Sequence, residues 1–174
     1  MQWKEFVYQG KTYDLSHLHP FEVHFERPAQ DSKPPVKFRV EVHFSLHCFS
    51  RRLGDEGYDK NLIYPCVSEV RLFDLYRYEL SRRLPDILRG LPNRQIRQTG
   101  HGNYICVEVI TETGARVEYD VFFKVRKVAR GRLELRVESS YVRDPSYRTN
   151  RPSGKPIRFW VILHNTLNGL AIRA

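Results

Sequence analysis

A chain of 174 residues with 41% hydrophobic and 28% charged residues is long enough to bury a core without covalent staples and too apolar to remain disordered. Its 29 Lys and Arg against 20 Asp and Glu leave a formal net charge of +9, which favours a polyanionic partner, although a basic surface also serves solvation alone. Three cysteines (Cys48, Cys66, Cys106) with no CxxC pair argue against a disulfide-built secreted domain and for a reducing, cytoplasmic setting, and the polar start and lack of a long apolar run argue against a signal peptide or membrane span.

Residues 3–15 read as two short strands about a Gln9-Gly10 turn. His17, His19 and Pro20 break that pattern. Phe21, Val23 and Phe25 then alternate with Glu22, His24 and Glu26 over 21–27. The proline-rich linker 28–35 leads into a period-two strand. It sets Val36, Phe38, Val40, Val42 and Phe44 on one face and Lys37, Arg39, Glu41 and His43 on the other. An antiparallel pairing of these two strands is the simplest connection, and a symmetric one brings His24 beside Arg39. Residues 45–66 have no sustained period and read as a long loop with room for one helical turn; loops of that length are often functional or mobile.

Phe73, Tyr76, Leu80, Leu84, Ile87, Leu88 and Leu91 recur at spacings of three and four, predicting a helix over 73–91. Pro85 kinks it or opens a second helix from the first turn, and Gly90 and Pro92 stop it. The remainder reads as an antiparallel meander over 103–164. Its strands carry Ile105, Val107 and Val109, then Val117, Tyr119, Val121, Phe123 and Val125, then Leu133, Leu135, Val137 and Tyr141. A polar loop over 143–156 precedes a last strand, 157–164, apolar on both sides. The expectation is one α+β domain over 1–174: N-terminal strands 1–44, long loop 45–66, helix 73–91 and meander 103–164. Its architecture is a twisted antiparallel sheet with one main helix, which Pro85 either kinks or divides, packed on a face.

The densest chemistry lies where the 36–44 strand enters the loop. Imidazole titrates near neutral pH, so His43 and His47 are the acid–base candidates, with Arg51 to stabilise phosphorane charge and Tyr141 to assist or to stack on a base. Arg39, Arg52 and Arg143 are candidate phosphate contacts. Two further stretches offer nucleic-acid contacts: Gly100-His101-Gly102-Asn103-Tyr104, where two glycines admit close backbone approach, and Ser139, Ser140 and Arg143 at a strand end. His43, His47, Cys48 and Cys66 are ligand types that suit zinc. A His-x-x-x-His pair, however, suits a helix face rather than a strand, so no metal and no cofactor are expected.

A helix ahead of a four-strand antiparallel meander resembles the barnase, EndoU, colicin and RelE-type ribonuclease superfamily, and the likeness spans residues 73–164. It implies a toxin-like, metal-independent endoribonuclease acting on RNA, with a neutralising protein partner and no membrane. Two other classes fit the same residues. One is a non-enzymatic RNA- or DNA-binding module, and the other is a protein-interaction adaptor whose basic face is only solvated.

Overall fold

Period-two alternation builds most of the molecule, which the computed structural model describes at residues 2–30, 34–54, 57–66, 69–99, 102–129, 131–143 and 154–172. β1 (Phe6–Tyr8) and β2 (Lys11–Tyr13) form the expected hairpin, its turn made by Gln9 at φ 50 and Gly10 at φ 75. Two successive positive φ angles match the right-handed strand twist. β3 (Phe21–Arg27) and β4 (Val36–Phe44) pair antiparallel in the symmetric register, with His24 opposite Arg39.

The region 45–66, expected to be loop, carries more structure than its composition suggested. A 3-10 turn at Leu46–Cys48 is followed by β5 (Ser50–Arg52), a second 3-10 turn at Lys60–Leu62 and β6 (Ile63–Tyr64). β5 and β6 flank β7 (Arg71–Phe73) in a small antiparallel sheet of order β5-β7-β6. Strands this short have no measurable period. Their stability comes from an aromatic hub in which Phe49, fully buried, meets Trp3 at 5.2 Å, Tyr64 at 4.9 Å and Phe73 at 6.1 Å.

The helix expected over 73–91 is two helices. Phe73 belongs to β7, and α1 (Leu75–Ser81) starts after Asp74, whose carboxylate accepts from the Arg77 N–H as an N-cap. α2 (Leu84–Arg89) carries Pro85 in its first turn, where a missing N–H costs nothing. Leu80, Leu84, Ile87, Leu88 and Leu91 are buried as their spacing predicts, whereas Tyr76 faces solvent.

His17 packs under α1, with its Nε2 2.8 Å from Ser81 Oγ. The Ser81 hydroxyl donates to Tyr78 O, so it accepts from the His17 N–H. Burial pulls the His17 pKa down from 6.5 to about 4, against the raising effect of Asp14. Between those values the unfolded chain binds a proton that the folded chain does not. Stability is therefore full above about pH 6.5 and falls as pH drops toward 4, by an amount that solvent screening at this half-buried site reduces. Urea titrations from pH 7 to pH 4 should show this loss, and His17→Gln should flatten that part of the profile.

β8 (Ile96–Thr99), β9 (Gly102–Ile110), β10 (Arg116–Ala129) and β11 (Arg132–Val142) pair in sequence with antiparallel neighbours. β12 (Lys155–Ile157) adds to β8, and β11 meets β4 in parallel, giving a seven-stranded mixed sheet of order β12-β8-β9-β10-β11-β4-β3. The expectation of a purely antiparallel sheet is corrected at that β4–β11 joint. The α+β class stands.

The segment 157–164, expected to be a strand, is corrected as well. Only Ile157 ends β12, and α3 (Phe159–Asn168) follows. Its buried residues, Phe159, Ile162 and Leu163, recur at helical spacing, and Gly169 at φ 67 closes it. One face of the large sheet, with Val40, Val42, Tyr119, Val121, Leu133 and Leu135, belongs to the buried core that these helices join. The opposite face carries rows of paired charges. No helix among the described residues is long and apolar enough to cross a membrane.

Candidate functional site

The 3-10 turn after β4 does gather chemistry. Ser45 Oγ–H donates to Glu138 O at 2.5 Å and accepts from the His47 N–H, which presents the His47 ring beside β7. His47 Nε2 lies 2.9 Å from Glu69 Oε1, and Glu69 Oε2 lies 3.2 Å from Arg71 Nη1. The hydrogen bond from His47, aided by a weaker one from Arg71, holds the Glu69 carboxyl below the usual range against the opposing effect of burial. Arg71 also donates to Ser50 Oγ at 2.9 Å, and Arg77 donates to the carbonyls of His47 and Ser50 at 3.1 and 3.0 Å. The Arg77 guanidinium then sits 5.5 Å from the centre of the Tyr141 ring. Two of the expected catalytic residues, His47 and Tyr141, thus share a neighbourhood through Arg77. Arg71 and Arg77 are nonetheless committed to stitching the turn to β5, not aimed at an open site.

The other expected residues are dispersed or already engaged. His43 lies on the charged face, 3.2 Å from Glu41 Oε1 and 4.0 Å from Glu134 Oε2, without a hydrogen bond from its Nε2 to either; no contact joins it to His47. Arg51 pairs with Asp74 at 3.7 Å, Arg39 pairs with Glu22, and Arg143 pairs with the buried Asp120 at 3.2 Å. Arg52 is exposed. A register shift in β11 between its pairings to Phe122 and Phe123 turns Ser140 inward, where it accepts from the Tyr119 hydroxyl at 2.8 Å. Ser139 and Tyr141 therefore face away from Val137, which corrects the alternation expected for Tyr141. Tyr141 joins a stack with Phe122 and the buried Tyr104, at 5.6 and 5.5 Å. Asn103 is buried on the core side, and His101 lies outside the described residues. Burial pushes the Cys48 thiol up to about 11, so it is neither a thiolate nucleophile nor a ready zinc ligand. Among the described residues no three His, Cys, Asp or Glu side chains gather as a metal group.

A different place concentrates unspent charge. α3, which follows the edge strand β12, packs against the other edge strand β3, with Phe159 against Phe25 at 4.9 Å. Between the edges opens a cleft of about 690 Å³, lined by Arg27, Arg94 and Arg158 together with Phe159 and Trp160. Among the described residues no carboxylate lines it, and none of the three arginines has an ion-pair partner. The Nε of Arg27 is shielded from solvent and has no hydrogen-bond partner there. On the charged sheet face most cations are matched: Lys37 with Glu26, Lys124 with Glu138, Arg126 with Glu134 and Arg116 with Glu108. Burial opposes ionisation of Glu134, and the two-pronged Arg126 contact at 2.9 Å more than offsets it, so its pKa is lowered. That face is close to neutral, while the cleft is not.

Comparison with known proteins places the chain. The family model described as YjaZ family matches residues 5–167. The chain belongs to the YjaZ family. It is similar to Protein YjaZ of Escherichia coli (strain K12), with 28% identity over 170 residues that cover 95% of this chain and 91% of that protein. No solved structure matches it.

In this YjaZ-family chain the cleft residues stand far apart in sequence, and three features position them. Arg27 ends β3, Arg94 follows the 3-10 turn Leu91–Asn93, and Arg158 is the residue before α3. The sequence signal was present only in part: Arg158-Phe159-Trp160 is an arginine before two aromatics, a pairing that a strand reading hid. β12 holds Arg158 in place, and β12 depends on Gly154, where an added Cβ would lie 2.7 Å from Gln98 O. Arg97 Nη1 clamps the same point by donating to Gly154 O at 3.0 Å. Gly154→Ala should push β12 from β8 at a cost of about 1–3 kcal/mol, read as a lower urea midpoint with faster amide exchange at Ile157.

Proposed function

We propose that the chain is a nucleic-acid-directed protein that binds single-stranded RNA or DNA without cleaving it, acting in the cytoplasm. The observation that carries this reading is the set of three guanidiniums without ion-pair partners among the described residues, gathered on one cleft beside a tryptophan, in a chain of net charge +9 most of whose sheet-face cations are matched. Arginine forks suit phosphate oxygens, and a tryptophan edge or face suits a base. The cysteine usage supports the compartment.

The test is binding of a short labelled RNA across a salt series. The reading expects log affinity to fall with log salt at a slope of about −2, from three phosphates at about −0.7 each on a single strand. It also expects RNA that stays intact in EDTA and in magnesium. Absence of binding at low salt contradicts it.

One observation favours a second reading, metal-independent RNA cleavage: the His47–Glu69 hydrogen bond at 2.9 Å, with both side chains about two-fifths exposed. A histidine oriented by a carboxylate is a workable acid or base. RNA cleaved in EDTA by the native protein, and not by His47→Ala, would establish that reading instead.

A further inference from the structure

The cleft between the edge strands has a size and a lining that narrow its ligand. A volume of about 690 Å³ falls within the range of small-ligand sites, about 300–1,000 Å³, and is too small for a duplex. One part of the lining is cationic, with Arg27, Arg94 and Arg158; the rest combines the amides of Gln30, Asn93 and Gln95 with an apolar wall that includes Trp160. Trp160 is held in place: it lies near-parallel to Phe38 at 6.2 Å and 27°, on a helix whose Phe159, Ile162 and Leu163 are buried. α3 is ten residues long, has no side-chain cap and no acidic residue in its first turn, so its positive end adds to the arginines. A peptide strand is a poor occupant, because Pro28 and Pro156 flank the opening from both edges and lack the N–H that strand pairing requires. A cationic pocket with an aromatic wall and no carboxylate among its described lining residues calls for a ligand that is anionic at one end and flat at the other.

We infer that this cleft is a nucleotide subsite, taking one phosphate among Arg27, Arg94 and Arg158 and one base against Trp160. The inference rests on the nucleic-acid reading of the same surface and deepens it: the pocket recognises a single nucleotide unit, so a mononucleotide binds without a longer strand. Neither half of the ligand suffices, because phosphate alone leaves the apolar wall wet and a nucleoside alone leaves the guanidiniums unpaired.

The experiment uses intrinsic fluorescence in a Trp3→Phe protein, where Trp160 is the only tryptophan, with calorimetry on the unsubstituted chain as an independent measurement should Trp3→Phe fold poorly. The probes are 5′-AMP, adenosine and inorganic phosphate. Saturable quenching by 5′-AMP is expected, with adenosine and phosphate each at least about tenfold weaker. Arg158→Gln should weaken 5′-AMP by about tenfold, while Arg116→Gln, an exposed change on the paired sheet face, should leave it unchanged. No heat and no quenching with 5′-AMP, or equal affinity in Arg158→Gln, overturns the subsite. Phosphate binding as tightly as 5′-AMP overturns the base half. If the short RNA still binds while 5′-AMP does not, the subsite falls and the nucleic-acid reading stands. If 5′-AMP binds while RNA does not, the nucleic-acid reading falls and the subsite stands.

Discussion

Replacing Arg27, Arg94 and Arg158 together by glutamine lowers affinity for short single-stranded RNA by about two to three orders of magnitude, since each charge-assisted phosphate contact contributes about tenfold. The salt slope falls toward zero over the same comparison, by about 2 for three phosphates on a single strand. Fold stability should change little, because none of the three guanidiniums has an ion-pair partner among the described residues and Arg94 and Arg158 are exposed. The informative control removes the same formal charge elsewhere, as Arg39→Gln, Arg116→Gln and Arg126→Gln on the sheet face. Those cations are already matched by Glu22, Glu108 and Glu134, so affinity should stay within about threefold of the native protein. Equal losses in the two triple variants would mean that net charge, not the cleft, draws the nucleic acid. Anisotropy titrations at matched ionic strength decide between them.

The largest stability effect is expected at Phe49. Phe49→Ala should cost about 3–5 kcal/mol, the usual range for removing a buried phenyl group, against a total domain stability of about 5–15 kcal/mol. The ring is fully buried and packs edge-on against Trp3 and Tyr64 and tilted against Phe73. Phe73 in turn stacks on Phe6 at 4.4 Å and meets Tyr78 of α1 at 5.5 Å. Loss of Phe49 therefore weakens the seating of β1, of the small sheet and of α1 together. A lower urea midpoint with an unchanged slope is the expected signature, and a stability loss below about 1 kcal/mol would contradict the hub.

Strands on the large sheet were legible where one face is buried and the other wet, as in β3, β4 and β10, because alternation then repeats over many residues. The His24–Arg39 register followed from a symmetric connection. Three kinds of feature were not legible. The short strands β5, β6 and β12 are too short to show a period and, unlike the β1–β2 hairpin with its Gln9-Gly10 turn, carry no turn signal to mark them. The bulge in β11 moves Tyr141 and Ser140 between faces without changing composition. α3 begins with an apolar run that suits a buried strand as well as a helix, and only its continuation to Asn168-Gly169 distinguishes them.

The candidate site divides in the same way. His47 was visible as a titratable group in a polar turn, but its partner Glu69 lies 22 residues on and shares no motif with it. Most of the arginines expected to clamp phosphate find carboxylates once the strands pair, a fact of register that composition does not hold. Arg27, Arg94 and Arg158 become a group only when α3 packs its Phe159 against Phe25 of the edge strand β3, which requires the helix that the strand reading of 157–164 removed.

The most direct test of where nucleic acid is held is photo-cross-linking of a short uridine-rich RNA to the native chain, with the modified residue mapped by mass spectrometry. Attachment at Trp160 or within the peptides carrying Arg94 and Arg158, lost in the triple glutamine variant, is the predicted result. Attachment confined to the turn carrying His47, or to the charged sheet face around His43, would contradict the account.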